Sequence, residues 1–143
     1  DTEHNDLYRS RAAALNMIPT TTGAANAVGL VLPKLDGKLD GVAIRVPTPN
    51  VSAVDFVFEP SRKTSAEEIN QLIVNAAKSE LRGVLDFTDR ELVSSDFNHH
   101  PASSIVHLDQ TRVMKDGLTR IFSWYDNEWG FSNRMLDTVS CME

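Results

Sequence analysis

The sequence predicts an α+β fold in which helices pack on one face of a largely antiparallel or mixed sheet. Three observations lead to this expectation. Two segments carry apolar residues at helical spacing, a third is small and apolar nearly all round, and several short segments alternate apolar and polar residues as strands do. Their order along the chain is helix, strands, helix, strands and a closing helix, and no repeat or linker-rich tract divides them.

The first helix is predicted by the small, apolar run from Ala24 to Leu32, which suits a helix buried on nearly all sides. Residues 42–46 then alternate, with Arg45 on the face opposite the apolar side chains. Residues 51–58 alternate again after the interruption PTPN. These two alternating segments predict a hairpin.

The second helix has the clearest start signal, because Thr64 and Glu67 form a capping-box pattern. Apolar residues follow it at helical spacing: Ile69, Leu72, Ile73 and Ala76. Short strands are then predicted over residues 92–94, 104–108 and 118–125. Ser132 can cap a closing helix whose apolar face carries Met135, Leu136, Val139 and Met142.

Size and charge restrict what the chain can do. Its 143 residues suit one domain, residues 1–143, and its formal net charge of −6 disfavours nucleic acid and anionic membranes as partners. The single cysteine, Cys141, cannot form an internal disulfide, so a reduced, cytoplasmic setting is expected. No apolar run reaches the length of a membrane span. The GxGxxG and GxxxxGK[ST] patterns of nucleotide sites are absent.

The opening segment DTEHNDLYRSR lacks the apolar stretch of a signal peptide, and position 1 is not Met. This start fits either a processed protein or a chain cut from a longer polypeptide, and the second is expected because of the family resemblance given below.

The first candidate site is the run Thr20, Thr21, Thr22 and Gly23 at the start of the first helix. Free backbone N–H groups and the positive end of a helix dipole attract anions there, and hydroxyl groups suit phosphate. The alternative is that a threonine merely caps the helix.

Three arginines are the second candidate, because a guanidinium group binds phosphate through paired hydrogen bonds. Arg45 lies in an apolar strand just before a proline turn, where functional residues often collect. Arg9 and Arg11 lie in a polar segment. Each of the three could instead be an ordinary solvent-facing side chain.

The third candidate is the segment SWYDNEWG, residues 123–130, in which a strand ends in a polar loop between two tryptophans. Asn127, flanked by Asp126 and Glu128, can both donate and accept hydrogen bonds, which suits an amide-bearing ligand. An ordinary turn between a strand and a helix explains the same composition.

The histidines and the cysteine favour structural interpretations. His99, His100 and His107 lack a cysteine, an HExxH motif or a clear carboxylate partner, so a surface loop is preferred to a metal site. Cys141 lies towards the apolar side of the closing helix and is predicted to be a small core residue.

Four strings occur in order along nearly the whole chain: RAAALNMIPTTTGAANAVG, GVAIRVPTPNVSAVDF, VSSDFN and SWYDNEWGFSNRMLD. In order and spacing they resemble the catalytic domain of phosphorylating glyceraldehyde-3-phosphate dehydrogenases. Erythrose-4-phosphate dehydrogenases are similar in the last string but less so around TTTGAA, so that family is the alternative. A non-catalytic module for assembly or anion binding is the other.

The resemblance implies roles for individual residues. Thr22 and Gly23 correspond to phosphate contacts, Arg45 to a second one, and Arg9, in preference to Arg11, to a third. Asn127 is similar to the residue that holds the nicotinamide carboxamide of NAD or NADP, and Tyr125 to a tyrosine that backs the active centre.

The resemblance also implies a reaction, the glycolytic oxidation of glyceraldehyde 3-phosphate with inorganic phosphate to 1,3-bisphosphoglycerate. A cysteine thiolate attacks the aldehyde with help from a histidine, hydride passes to the nicotinamide, and phosphate displaces the thioester. The family's cysteine and histidine both belong upstream of position 1, and His4 is no substitute. The chain alone is therefore expected to be inactive, and its parent to be a tetramer.

Overall fold

The computed structural model describes residues 3–142. The chain divides into two compact units, with the boundary between Pro49 and Asn50. Each unit is built around its own sheet.

The first unit contains a two-stranded antiparallel ribbon. Strand β1 (Ile18–Thr20) pairs with β2 (Ala43–Arg45), so that Ile18 lies opposite Arg45 and Thr20 opposite Ala43. Ile18 is the buried residue of this pairing. The elements of the unit are β1 (Ile18–Thr20), α1 (Ala24–Val31) and β2 (Ala43–Arg45), with 3₁₀ turns at Ala13–Leu15 and Pro33–Leu35.

Helix α1 begins at Ala24 as predicted, but the expectation that it is buried all round is wrong. Leu30 is 84% exposed and Val31 76% exposed. Only a few residues of this small unit are buried, because a short segment with a two-stranded ribbon has no second layer to cover a helix. Gly29 is buried because Asp36 packs closely on it, and a Cβ there would lie 2.9 Å from the Asp36 carboxylate.

The second unit is a five-stranded mixed sheet with two helices, which confirms the predicted α+β class. Its elements are β3 (Ser52–Phe58), α2 (Ala66–Lys78), β4 (Leu85–Thr88), β5 (Ser104–His107), β6 (Arg112–Val113), β7 (Thr119–Tyr125) and α3 (Trp129–Ser140). The strand order is β3-β7-β5-β4, and β6 also pairs with β7. Strands β4 and β5 are parallel, whereas the other pairings are antiparallel.

The predicted hairpin between residues 42–46 and 51–58 is wrong. Strand β2 pairs with β1, while β3 pairs along its whole length with β7, from Ser52 opposite Tyr125 to Phe58 opposite Thr119. Strand β7 offers seven partners in continuous register, more than the three-residue β2 could. The two prolines of PTPN also make a tight hairpin turn unfavourable, since neither has an N–H group to donate.

Helix α2 is confirmed, with its cap one residue later than predicted. The Ser65 hydroxyl, not that of Thr64, accepts a hydrogen bond from the Glu68 backbone N–H at 3.2 Å. Thr64 instead donates to the Glu68 carboxylate at 2.8 Å. Even this 13-residue helix is short, and within residues 3–142 no helix has the length and apolar character needed to cross a bilayer.

Two other boundaries differ from the prediction. Residues 92–94 do not form a strand, and a 3₁₀ turn occupies Ser94–Phe97. The closing helix begins at Trp129, before Ser132, because Asp126 caps its first N–H groups. The predicted strands over residues 104–108 and 118–125 are confirmed as β5 and β7.

The main hydrophobic cluster of the second unit lies on one face of the sheet, and Val106 is buried on the other. Cross-strand partners point to the same side, so Ile105 and Trp124 share a face, and Phe87 lies on the other. On the first face Phe97 stacks on Trp124 with ring centroids 5.4 Å apart. On the second, Lys78 of α2 lies 5.6 Å from the Phe87 ring centroid. The core cluster consists of Val51, Phe97, Ala102 and Ile105, with Leu92 and Trp124 packed against it.

Truncating Ile105, which is 2% exposed, should lower the free energy of unfolding of the second unit by about 2–4 kcal/mol, because it removes buried methyl groups and leaves a cavity. Urea unfolding of Ile105→Ala followed by tryptophan fluorescence measures this, since both tryptophans lie in that unit. The exposed Val93→Ala is the control and should change stability by less than about 0.5 kcal/mol. Equal effects of the two substitutions would contradict this core assignment.

Candidate functional site

The first unit holds the four residues predicted to bind phosphate. In the β1–β2 ribbon Arg45 is opposite Ile18, and Thr20 is two residues beyond Ile18. Alternation therefore places Arg45 and Thr20 on the same face as diagonal neighbours, within reach of a long side chain. Arg45 is exposed, so its guanidinium group is open to an anion.

Arg9 is joined to the same ribbon. Its Nη2 donates a hydrogen bond to the Thr20 hydroxyl at 2.9 Å. Its Nε lies 3.6 Å from the Asp6 carboxylate and, within residues 3–142, is shielded from water without a hydrogen-bond partner. Arg11 is exposed. The Thr20 contact supports the choice of Arg9 over Arg11, and the phosphate role of Arg9 stays a prediction.

Thr22 and Gly23 precede the first turn of α1. The Thr22 hydroxyl accepts a hydrogen bond from the Ala24 N–H at 3.2 Å, so it organises the turn before the helix. Gly23 occupies the cap position without a side-chain cap, and a Cβ there would meet no heavy atom within 4 Å. Both residues are exposed, which leaves room for a bound anion beside them.

The second unit contains the polar loop between β7 and α3. The side chain of Asp126 accepts the hydrogen bonds that hold this loop together. This carboxylate is 1% exposed. One oxygen accepts from the backbone N–H groups of Glu128 at 3.1 Å and Trp129 at 2.8 Å. The other accepts from the His99 N–H at 2.8 Å and the Asn50 side-chain amide at 2.9 Å.

These four donors decide the charge state of Asp126. Burial raises the pKa of the carboxyl group, but the N–H groups of Trp129, His99 and Glu128, with the Asn50 amide, outweigh burial and hold its pKa below the usual range. Asp126 is therefore an ionised, structural carboxylate. All its lone pairs face donors of the chain, which makes it a poor candidate for acid or base chemistry.

Asn127 follows Asp126 and is exposed. Its side-chain oxygen accepts a hydrogen bond from the Ser52 hydroxyl at 3.3 Å, so the amide NH₂ group is the part that could donate to a ligand. A nicotinamide carboxamide has the carbonyl acceptor that such a donor requires. Tyr125 lies half-buried at the end of β7, opposite Ser52.

Sequence reasoning missed Asn50 and His99. Asn50 donates to both Asp126 and the Asn98 side chain, the latter at 2.6 Å. His99 has a φ of 60° and packs its ring against Trp129 with centroids 4.6 Å apart. The signal available was the single asparagine in each of PTPN and DFNHH, a residue typical of turns, but it does not reveal that the two segments meet.

The histidine and cysteine predictions are partly wrong. His107 is not a loop residue, because it lies buried in β5. Its Nδ1 accepts from the Trp124 indole N–H at 3.0 Å, so the proton lies on Nε2, which donates to the Arg90 carbonyl at 2.9 Å. Residues 3–142 contain no group of three side chains able to hold a metal ion. Cys141 is exposed rather than in the core, because it is the cap residue that follows the end of α3 at Ser140.

A cavity of about 260 Å³ opens on the sheet face beside Trp124. Its polar groups are largely used within the chain, since His107 is bonded at both ring nitrogens and Arg120 makes a two-point ion pair with Asp55. The lining residues are Leu92, His107, Gln110, Arg120, Phe122 and Trp124. The cavity therefore has fewer unbonded polar groups for an anion or an amide than the predicted phosphate residues of the first unit or the loop between β7 and α3.

Comparison with known proteins identifies the family of the chain. Residues 1–127 match the family described as "Glyceraldehyde 3-phosphate dehydrogenase, C-terminal domain". The chain belongs to this family. The match extends over both compact units and includes the residues predicted to bind phosphate as well as Tyr125 and Asn127.

Individual relatives are also similar. Glyceraldehyde-3-phosphate dehydrogenase of Cereibacter sphaeroides is 67% identical over 142 residues, covering 99% of this chain and 43% of the relative. The Xanthobacter flavus protein of the same name is 66% identical over 142 residues, which are 99% of this chain and 42% of the relative. The chloroplastic A form of Zea mays is 56% identical over 137 residues, 96% of this chain and 34% of the relative. The chain thus spans less than half the length of these proteins.

Asp126 should make stability depend on pH. Because its pKa is lowered on folding, its contribution is present above the ordinary pKa of 3.8 and is lost as pH falls through the lower folded value. At pH 7, Asp126→Asn should cost about 1.5–3 kcal/mol, since an amide cannot accept from all four donors. Urea unfolding from pH 7 to pH 2 should show the gap between the two proteins closing at the acid end.

Asp89→Asn is the matched control, because Asp89 is exposed, and it should leave the pH profile unchanged. A gap between Asp126→Asn and the parent chain that stays constant down to pH 2 would refute this account of the carboxylate.

Proposed function

We propose that this chain is the part of a phosphorylating glyceraldehyde-3-phosphate dehydrogenase that binds phosphate and frames the nicotinamide of NAD or NADP. The observation that carries the proposal is the hydrogen bond from Arg9 to Thr20, on the ribbon face that also bears Arg45. This hydrogen bond places the positive charge of Arg9 beside the threonine run. Because the protein has a net negative charge, an anion site in it needs a local positive charge of this kind.

For phosphate, the proposal assigns Arg9 and Arg45 to charge-assisted hydrogen bonds with the phosphate oxygens of glyceraldehyde 3-phosphate and of inorganic phosphate. Thr22 and Gly23 supply a hydroxyl and backbone N–H groups at the start of α1. The exposure of Arg45, Thr22 and Gly23 supports this assignment because each can reach a ligand without displacing packed side chains.

For the cofactor, the proposal assigns Asn127 to the carboxamide group. The Ser52 hydroxyl donates to the amide oxygen, which leaves the NH₂ group for the ligand, and the buried Asp126 carboxylate fixes the backbone of the same loop. Tyr125 backs this position from the end of β7. The bound dinucleotide would accept the hydride, while these residues orient it.

The chain's own contribution to the reaction is therefore binding and orientation. Holding the phosphate groups and the carboxamide in fixed positions lowers the entropic cost of bringing the reacting atoms together. The thiolate nucleophile and its histidine are proposed to come from another part of the polypeptide. Oxidation of the aldehyde followed by attack of inorganic phosphate would then yield 1,3-bisphosphoglycerate.

Assembly as a tetramer in the cytoplasm is part of the same proposal. Large apolar side chains are exposed on several elements, which is typical of surfaces covered by further protein. On β3 they include Val54, Phe56 and Val57, and on α3 they include Phe131, Met135, Leu136 and Val139.

The first test of the proposal compares the 143-residue chain with the complete polypeptide that carries it. Phosphate-dependent reduction of NAD or NADP by glyceraldehyde 3-phosphate, followed by the absorbance of the reduced cofactor, is expected for the complete polypeptide alone. Turnover by the 143-residue chain would show that nucleophile and base lie within it. No turnover by the complete polypeptide would favour a non-catalytic assembly module.

The second test separates the two sites by paired substitutions in the complete polypeptide. Arg45→Ala should raise the KM for inorganic phosphate about tenfold or more and leave the KM for the cofactor unchanged, because it removes a charge-assisted contact. Asn127→Ala should do the reverse, raising the cofactor KM alone.

Arg11→Ala serves as the control for Arg45, since it removes an equally exposed arginine of the same unit and should change neither constant appreciably. If Arg45→Ala and Arg11→Ala gave the same phosphate KM, the assignment of Arg45 would be wrong.

A further inference from the structure

The Arg9 guanidinium group has an acidic neighbour that the proposed phosphate site does not account for. The Asp6 carboxylate lies 3.6 Å from Arg9 Nε, and both side chains are partly exposed, at 41% for Asp6 and 36% for Arg9. A negative charge beside a cation that is assigned to phosphate weakens phosphate binding. The phosphate role of Arg9 therefore does not by itself explain the position of Asp6.

Asp6 does not orient Arg9 through a hydrogen bond. A separation of 3.6 Å is too long for one, and Arg9 Nε has no hydrogen-bond partner within residues 3–142. The directional contact of Arg9 is the 2.9 Å hydrogen bond from Nη2 to Thr20. Asp6 therefore acts on Arg9 through charge, while Thr20 sets its position.

The carboxylate of Asp6 is held in place by its own turn. One oxygen accepts from the Tyr8 backbone N–H at 3.0 Å, and the Asp6 N–H donates to His4 Nδ1 at 2.9 Å. The carbonyl oxygen of Asp6 accepts from the N–H groups of Arg9 and Ser10. The other carboxylate oxygen faces Arg9 at a distance fixed by this turn.

We propose that Asp6 competes with phosphate for the Arg9 guanidinium group and so sets the affinity of the site for phosphate. This inference rests on the proposed phosphate role of Arg9. Before an anion arrives, Asp6 partly neutralises Arg9. When phosphate binds through the remaining N–H groups, Asp6 repels it. The site consequently binds phosphate more weakly than its arginines and threonines would allow, which favours release of a phosphorylated product.

The test is the KM for inorganic phosphate of Asp6→Asn in the complete polypeptide. Asparagine keeps an oxygen that can accept from the Tyr8 N–H but removes the charge, so the turn is retained. The KM should fall about two- to fivefold, the range expected for a partly exposed ion pair. The fall should shrink towards nothing at about 0.5 M salt, because screening weakens exposed charges.

Asp40→Asn is the matched control. Asp40 is an exposed aspartate of the same unit whose side chain also accepts from a backbone N–H, that of Gly41 at 2.7 Å. It undergoes the same change of charge and should leave the phosphate KM unaltered. Equal falls in Asp6→Asn and Asp40→Asn would attribute the effect to net charge and overturn the proposal.

Arg9→Gln distinguishes failure of this inference from failure of the phosphate assignment. It should raise the phosphate KM about tenfold, as expected for loss of a charged donor. A rise with Arg9→Gln and no change, or a rise, with Asp6→Asn would overturn the role of Asp6 and leave that of Arg9 intact. No change with either substitution would overturn both.

Discussion

The second unit depends on one buried carboxylate. Asp126 accepts hydrogen bonds from Asn50, from His99 and from the first turn of α3, three segments far apart in sequence. Each would otherwise leave a polar group without a partner near the core, at a cost of about 1–3 kcal/mol. The first turn of α3 also lies close to Ala102, because a Cβ at Gly130 would lie 3.1 Å from the Ala102 carbonyl oxygen. The position of Asn127 is a consequence of this arrangement.

The same arrangement explains strain nearby. Val51 has a φ of 67°, an unfavourable value for a β-branched residue. Its side chain belongs to the core cluster with Phe97 and Ile105, and Asn50 before it is bonded to Asp126. Core packing and the carboxylate together therefore fix a backbone conformation that the local sequence disfavours.

Local signals in the sequence predicted the elements that depend on local physics. Helix α2 could be predicted because its capping pattern and apolar spacing are local to the segment, and β7 because turn-rich residues mark where it begins and ends. The hairpin was mispredicted because the choice of β7 as the partner of β3 is a pairing across more than sixty residues, which no local pattern encodes. The burial of α1 and Cys141 was mispredicted for a related reason, since apolar composition shows that a surface needs covering but not what covers it.

Candidate site residues divide in the same way. Arg45, Thr22 and Asn127 stood out as polar residues at the ends of apolar elements, whereas Asn50 and Asp6 act only through partners that the fold or a turn provides. The electrostatics of the two sites also differ. The proposed phosphate site relies on arginines near the surface, whose charge–charge contacts salt would weaken, as would suit an anion that must bind and leave. The proposed amide site lies beside a carboxylate whose lone pairs all accept hydrogen bonds within the chain, so the charge of Asp126 holds the loop in place and ligand recognition is proposed for the neutral Asn127.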